Sequence, residues 1–232
     1  MSPAETLPTV FIACRIFESL VASILPEDLF AQVTYLEYGL HAVPDRLKNA
    51  VQEEIDAVKQ PSLIVLGYGL CGNGLKGIQS RQHTLLIPRT DDCIAILLGS
   101  YQSYREEFEK EPGTYYLTKG WLEGGSDPLQ EYHQAREQYG EEDAQWIMDT
   151  QYQHYNRLVL VAHSERDLET YRPRAQEIAA FCDRWDMTYQ EMLGSDDYVR
   201  RLVETAVRPD QADQDFLVIP PGDMVRQEMF IR

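Results

Sequence analysis

The sequence predicts an α/β fold in three layers (α/β/α), with helices on both faces of a mostly parallel sheet. Short, uniformly apolar runs recur along the chain, which is typical of strands buried on both faces. Between them lie segments whose apolar residues return at helical spacing. This alternation is characteristic of βα units around a parallel sheet. With 232 residues, 44% of them hydrophobic, the chain can bury such a core without disulfides.

The first hundred residues contain the clearest of these units. Strands are predicted at 9–13, 33–38, 63–66 and 83–87. Pro44 suits the first turn of a helix, and apolar residues then recur at helical spacing from Leu47 to Val58. A further helix is expected from Ile94 to Tyr101, with Asp91 or Asp92 as its cap.

The middle of the chain is predicted to hold an insertion. An extended segment is expected at 114–117, and two polar, tyrosine-rich helices follow at about 128–139 and 141–155. Gly140 separates the two helices. We interpret residues 124–155 as a helical insertion that covers part of the molecule.

The last third returns to the pattern of the first. Strands are predicted at 158–162 and 216–219, with two helices between them. Residues 1–232 are therefore expected to form a single α/β domain, in which two βαβ halves, about 1–110 and 156–232, surround a cleft.

Composition excludes several classes of function. The net charge of −17 disfavours binding to nucleic acids and to anionic membrane surfaces. Four cysteines in a chain of this length do not form a disulfide framework. The N-terminus does not resemble a signal peptide, and no apolar run approaches the roughly 20 residues that span a bilayer. We expect a cytoplasmic protein with reduced thiols and a small-molecule ligand.

Three cysteines and one histidine follow successive predicted strands. Cys14, His41, Cys71 and Cys93 are separated by 27, 30 and 22 residues, close to the length of a βα unit. If the strands are parallel, these side chains meet at the carboxyl edge of the sheet, where α/β folds bind ligands. Together they predict a metal site, with zinc favoured over an iron–sulfur cluster. Each residue alone has a simpler explanation as core filler or helix cap, and there is no C-x-x-C pair.

A glycine-rich segment around Cys71 predicts a ligand loop. Residues 67–74 contain four glycines directly after a strand, which lets the backbone approach a ligand closely. The expected ligand-binding residues here are Tyr68, Gly69, Gly72, Asn73 and Gly74. The pattern matches neither a dinucleotide fingerprint nor a P-loop. The simpler alternative is a tight turn around a buried free cysteine.

Two further segments are expected to contribute to the pocket. Arg89 follows a strand and is predicted to hold an anionic group, and Cys93 would lie in a first helical turn that lowers its thiol pKa. Trp121 is expected to form a lid or pocket wall. The alternatives are an ordinary helix cap and a packed loop.

Four segments carry a resemblance to a known family. LHAVPDRL, LGYGLCGNGL, IPRTDDCIAILLGS and PGTYYLTKGWLE occur in this order. They resemble the bacterial and archaeal family known as domain of unknown function 1638, from Cys14 to the C-terminus. In the family pattern a Cys follows the first strand, and LH-x-x-P, GYG-x-CG-x-G and DC come after it. These motifs fall here on Cys14, His41, Cys71 and Cys93. The family often has His in place of Asp92.

The resemblance implies a protein partner but no activity. Members resemble proteins encoded beside corrinoid methyltransferase systems, which implies a corrinoid or methyltransferase partner. Our leading hypothesis is a metal–thiolate protein, with zinc as the metal, that acts on a small, anionic molecule in one-carbon or methyl-transfer metabolism. One alternative is a non-catalytic carrier of a metal, corrinoid or iron–sulfur cluster. Another is a metal-free enzyme with Cys71 or Cys93 as nucleophile and His41 as base.

Overall fold

A computed structural model describes residues 7–26 and 28–232 of the chain. The strands are β1 (Thr9–Cys14), β2 (Phe30–Leu36), β3 (Leu63–Gly67), β4 (Thr84–Pro88), β5 (Thr114–Thr118), β6 (Arg157–Ala162), β7 (Thr188–Leu193) and β8 (Phe216–Ile219). The α-helices are α1 (Glu18–Ala22), α2 (Pro44–Ala57), α3 (Ile94–Leu97), α4 (Tyr101–Lys110), α5 (Lys119–Gly124), α6 (Pro128–Tyr139), α7 (Glu141–Tyr152), α8 (Glu165–Cys182) and α9 (Asp197–Val207). The mixed α/β class and its mostly parallel strands are confirmed. Among the described residues, no helix has the length and apolar character needed to cross a bilayer.

The chain divides into two compact units. Unit 1 combines the residues up to Tyr101 with residues 196–232, and unit 2 consists of residues 102–195. The predicted helical insertion, 124–155, falls inside unit 2, which also contains a sheet of its own. The strand predicted at 158–162 lies in unit 2, and the strand predicted at 216–219 lies in unit 1. The boundaries of the two units therefore differ from those of the two βαβ halves expected from the sequence.

Unit 1 is built on a five-stranded sheet with the order β2-β1-β3-β4-β8. β1 pairs in parallel with β2 and β3, β3 pairs in parallel with β4, and β8 alone runs antiparallel, against β4. Every residue of β1 and β3 is buried, as their apolar sequences predict. The chain moves from β1 outward to β2 and then returns to β3, so the strand order reverses between β1 and β3. Ligands of open α/β sheets bind at such a switch point, beyond the carboxyl ends of the strands.

The connection from β3 to β4 does not contain the helix that a βα unit would place there. Residues 71–77 form successive turns. Cys71 and Asn73 have φ angles of 48° and 72°, in the left-handed region, which a right-handed helix cannot accommodate. The segment therefore remains a series of turns. The helix expected from Ile94 to Tyr101 is also divided into α3 and α4, because Gly99 has a φ of 88°.

Unit 2 has a parallel three-stranded sheet with the order β5-β6-β7. β7 was not predicted, because its sequence TYQEML contains neither a long apolar run nor a regular alternation, and its residues are exposed or half-buried. α6 and α7 lie where the sequence predicted two helices. Their buried side chains join a core that includes Tyr152, Leu158 and Leu160. Tyr115, Tyr152 and Tyr155 contact one another through their rings, so these tyrosines are core residues of unit 2.

Candidate functional site

Three of the four cysteines lie where the parallel strands of unit 1 end. Cys14 is the last residue of β1, Cys71 lies in the turns after β3, and Cys93 directly precedes α3. They are only 6%, 4% and 7% exposed, respectively. The Sγ atoms of Cys71 and Cys93 are 3.9 Å apart and share a hydrogen bond. The Cys93 thiol contributes to the raised pKa of Cys14.

Backbone contacts hold the two loops that carry Cys71 and Cys93 together. The Leu70 N–H donates to the Thr90 carbonyl and the Cys71 N–H donates to the Asp91 carbonyl, each over 2.8 Å. Gly69 allows this approach, because a Cβ atom at this position would lie 2.7 Å from the carbonyl oxygen of Asp92. The glycine therefore permits close contact between two backbones.

Cys71 adopts a backbone conformation that is costly for its residue type. Its φ of 48° lies in the left-handed region, which non-glycine residues visit rarely. Such residues cluster at functional sites, where the surrounding structure imposes them. The hydrogen bonds to residues 90 and 91 are the constraint that holds Cys71 in this conformation.

The hydroxyl of Tyr68 is buried and has no hydrogen-bond partner among the described residues. Tyr68 is 2% exposed, and no donor or acceptor of residues 7–26 and 28–232 bonds to its Oη atom. Burial raises the pKa of Tyr68, and the Cys14, Cys71 and Cys93 thiols raise it further. The hydroxyl is therefore a neutral donor within the electrostatic range of all three cysteines. A buried polar group without a partner is rare, and an unseen water, ion or ligand commonly explains it.

The environment keeps Cys14 and Cys93 protonated. Burial, followed by the nearby Cys93 thiol, raises the pKa of Cys14 to about 12. The hydrogen bond with Cys71, followed by burial, raises the pKa of Cys93 well above its usual value. The expectation that a helix lowers the pKa of Cys93 is wrong, because α3 has only four residues and the thiol is buried against a second thiol. Cys93 occupies the N-cap position of α3, and the Asp92 carboxylate before it accepts the Ile94 N–H over 2.8 Å.

His41 differs from the three buried cysteines in its exposure. His41 lies on a short 3-10 helix, Leu40–Ala42, after β2, and is exposed. Across residues 7–26 and 28–232, no three His, Cys, Asp or Glu side chains are close enough to hold one metal ion as they stand. Three soft thiol donors in one buried region nevertheless fit a thiophilic ion chemically. The metal site stays a prediction.

Arg89 contacts the C-terminal segment of unit 1. Its Nε donates to the carbonyl of Met229 over 2.7 Å, and its Nη2 donates to the carbonyl of Ile231. The Arg89 carbonyl in turn accepts a bond from Arg232 over 2.8 Å. The guanidinium thus positions residues 229–231, and its role as an anion ligand stays a prediction.

The amides of the glycine-rich loop are largely used within the protein. Besides the bonds of Leu70 and Cys71, the Gly74 N–H donates to the Cys71 carbonyl and the Leu75 N–H donates to the Leu70 carbonyl. These amides support the loop itself, so they do not form a row of free donors. Ligand contacts of Gly69, Gly72, Asn73 and Gly74 stay predictions.

Trp121 lies in α5 of unit 2, whereas the three clustered cysteines belong to unit 1. Its role as a pocket wall stays a prediction. Sequence reasoning missed Thr90, which is 1% exposed and whose hydroxyl has no partner among the described residues. The only signal was its position between Arg89 and the DDC motif.

Comparison with known families matches most of the chain. The model of a family described as "Protein of unknown function (DUF1638)" matches residues 35–203. This range includes His41, Cys71 and Cys93 and leaves Cys14 outside. No curated protein and no solved structure matches the chain.

Proposed function

Because the chain belongs to the DUF1638 family of proteins of unknown function, whose name supplies no activity, we propose a function from its own residues. The protein is a metal–thiolate protein that binds zinc through Cys14, Cys71 and Cys93 in a reducing compartment. It uses this site on a small molecule, and the family resemblance favours one-carbon or methyl-group chemistry.

The distance between the Cys71 and Cys93 sulfurs carries this proposal. Two thiolates on one tetrahedral zinc, with Zn–S bonds of about 2.3 Å, are ~3.8 Å apart. The observed separation is 3.9 Å. A disulfide would require about 2.05 Å instead. The pair therefore has the spacing of two zinc ligands before any metal binds.

Cys14 supplies the third ligand in this proposal. Cys14 is the last residue of β1, and the Cys93 thiol contributes to its raised pKa. Clustered thiols resist ionisation because their negative charges would repel one another. A divalent cation removes this obstacle, since metal binding displaces the thiol protons. When bound, zinc would supply a Lewis acid at the switch point of the sheet.

His41 is the remaining candidate for a fourth ligand or a nearby base. Its exposure on a separate 3-10 helix makes it the weaker member of the set. His41→Ala is therefore expected to lower zinc affinity less than any substitution of the three cysteines.

Metal analysis of protein purified without oxygen tests the proposal. We expect one zinc per chain in the wild type. Cys71→Ser and Cys93→Ser should reduce zinc content strongly, because each removes half of the preformed pair. Cys182→Ser is the matched control, since Cys182 is fully buried in the core of unit 2. It should retain zinc and lose about 1–3 kcal/mol of stability, the usual cost of burying a hydroxyl.

Two results would contradict the zinc assignment. Equal zinc loss in all three variants would indicate general unfolding. Iron and acid-labile sulfide, with visible absorption, would indicate an iron–sulfur cluster instead.

A non-catalytic metal carrier is the second candidate. The exposed fractions of the three cysteines, 4–7%, favour a closed structural or carrier site over an open catalytic one. A metal-free enzyme with Cys93 as nucleophile is less favoured, because the raised pKa of Cys93 keeps it as a thiol at neutral pH. With Co²⁺ in place of zinc, a closed site would keep its visible spectrum when ligands are added, and an open catalytic site would change it.

A further inference from the structure

We propose that Cys71 and Cys93 form an oxidative modification site, at which a small hydroperoxide converts the two thiols to a reversible disulfide. Their sulfur atoms are 3.9 Å apart and share a hydrogen bond. A disulfide requires the same two atoms to approach to about 2.05 Å. Neither thiol needs a metal for this reaction, so the site goes beyond the proposed zinc function and is independent of it.

The two backbone segments that carry the pair are fixed next to each other. The Leu70 N–H donates to the Thr90 carbonyl, and the Cys71 N–H donates to the Asp91 carbonyl, each over 2.8 Å. Two groups that are held in contact react as if each were present at a very high concentration. Once one sulfur is oxidised, attack by its neighbour is therefore favoured over attack by a thiol from a separate molecule.

Burial and charge select the class of oxidant. Both thiols are nearly buried, so a reagent must be small to reach them. The net charge of −17 repels anions at long range. Hydrogen peroxide is neutral and close to water in size, whereas glutathione disulfide is larger and anionic. A small hydroperoxide is therefore the oxidant that fits this site.

Oxidation takes place in two steps. The Cys71 sulfur attacks one oxygen of hydrogen peroxide, so that an S–O bond forms, the O–O bond breaks, and the released hydroxide takes the thiol proton and leaves as water. The Cys93 sulfur then attacks the sulfenic acid of Cys71. The S–S bond forms, the S–O bond breaks, and the hydroxide leaves as a second water with the proton of Cys93. The two sulfurs are oxidised, and the peroxide is reduced to water.

The order of attack follows from the environment of Cys93. Its hydrogen bond with Cys71, followed by burial, raises the pKa of Cys93 and keeps it as a thiol. Since the thiolate is the nucleophile, we expect Cys71 to react with the peroxide first and Cys93 to close the disulfide. A dithiol reductant restores both thiols by exchange and becomes a disulfide itself. In a reducing compartment the oxidised pair is expected to be a transient state.

Peptide mapping of metal-free protein tests the pair. The wild type is treated with a chelator, exposed to hydrogen peroxide, blocked with an alkylating agent and digested without reduction. We expect one disulfide, between the peptides of Cys71 and Cys93, which dithiothreitol removes. The same measurement is made with glutathione disulfide, in the folded protein and in urea, where both reagents reach the thiols. The ratio of the peroxide rate to the glutathione disulfide rate should be about 10-fold or more larger in the folded protein.

Cys14→Ser and Cys182→Ser are the controls. Cys14 is the last residue of β1, and Cys182 lies in the core of unit 2. Both variants should form the same disulfide as the wild type. Cys93→Ser should form none and should instead accumulate a sulfenic acid at Cys71, which dimedone traps.

Three results would overturn parts of this proposal. A peroxide-treated wild type without the disulfide between Cys71 and Cys93, or with one that joins Cys14 or Cys182 instead, refutes the site. A dimedone adduct at Cys93 in Cys71→Ser, with none at Cys71 in Cys93→Ser, refutes the order of attack. An equal rate ratio in folded and unfolded protein refutes the choice of oxidant. Because the mapping uses metal-free protein, its failure leaves the zinc assignment standing, and a wild type without zinc leaves the disulfide standing.

Discussion

Hydrogen bonds between two backbone segments hold Cys71 and Cys93 next to each other. Cys71 is held in the left-handed region, and its N–H donates to the Asp91 carbonyl. Gly69 allows the loop to approach residues 90–92. Both thiols are buried, and these backbone contacts bring them together without a metal.

Gly69→Ala tests whether this backbone contact controls metal binding. The new Cβ would lie 2.7 Å from the Asp92 oxygen and 2.9 Å from the Thr90 oxygen, both backbone atoms that cannot rotate away. We expect zinc affinity to fall about 10- to 100-fold, as when metal ligands lose their positioning. The free energy of unfolding should fall by about 1–3 kcal/mol. Competition with a zinc chelator and urea unfolding measure these effects.

Gly222→Ala is the control for this prediction. Gly222 has a φ of 82°, so alanine is strained there by about 1–2 kcal/mol, but a Cβ atom would meet nothing within 4 Å. This variant should lose stability and keep its zinc affinity. Similar affinity losses in both variants would show that stability, and not the contact at Gly69, governs metal binding.

Among the elements, the buried strands were the most predictable part of the fold. β1 and β3 are apolar throughout, so their burial follows directly from their sequences. β7 escaped prediction because it lies at an edge, where polar residues are tolerated. The position of β8, antiparallel beside β4, depends on contacts across about 130 residues, which periodicity does not encode.

The candidate site was predictable in its members but not in its geometry. Strand ends placed Cys14, Cys71 and Cys93 at one edge of the sheet, and the structure brings Cys71 and Cys93 into contact. Sequence could not show that Arg89 is engaged by the C-terminal segment, because those residues are distant along the chain. The sequence also predicted a lowered pKa for Cys93, but the pKa is raised. The hydrogen bond with Cys71 and burial outweigh the effect of a single helical turn on this thiol.

In unit 2, the link between α4 and the sheet depends on an ion pair. The Arg157 guanidinium is nearly buried and donates to Glu107 over 3.1 Å and to Thr114 over 2.8 Å. Burial opposes ionisation of Glu107, but hydrogen bonds from Lys110 and Arg157 lower its pKa below the usual 4.5. Glu107 therefore stabilises the folded state above about pH 4.5, and this contribution disappears as pH falls through the lowered pKa.

Glu107→Gln is expected to lose about 1–3 kcal/mol of stability at pH 7, because it leaves the Arg157 guanidinium without its charged acceptor. The variant and the wild type should converge as pH falls through the lowered pKa of Glu107. Urea unfolding at a series of decreasing pH values, starting at pH 7, measures this convergence. The control, Glu109→Gln, alters an exposed pair with Arg105 on the same helix and should change stability by less than about 0.5 kcal/mol. A Glu107→Gln loss that stays constant as pH falls would contradict an ionic role.

At the scale of the whole molecule, the net charge of −17 bears on the ligand. The 38 acidic residues against 21 basic ones repel anions at long range. An anionic ligand must therefore be held by local groups. The guanidiniums of Arg15 and Arg89 already bond to Glu37 and to the Met229 carbonyl, so they are not free to supply this charge.

The division of the chain into two units leads to the last prediction. Unit 2 is continuous in sequence, from 102 to 195, and has its own parallel sheet and buried core. A segment with these properties is expected to fold alone. We expect an isolated 102–195 fragment to show α/β circular dichroism and a cooperative urea transition, and to bind no zinc, since Cys182 is its one cysteine.

Tyr152→Ala within the fragment provides the test of its core. Tyr152 is fully buried and contacts the rings of Tyr115, Tyr155 and Trp185. Loss of a buried aromatic side chain costs about 3–5 kcal/mol, which should unfold a fragment of this size. Cooperative unfolding in the wild-type fragment and its loss in Tyr152→Ala would show that the aromatic core holds unit 2 together. A wild-type fragment without a cooperative transition would mean that residues 102–195 depend on unit 1 for their fold. A fragment that binds zinc would mean that the metal site does not belong to the three clustered cysteines.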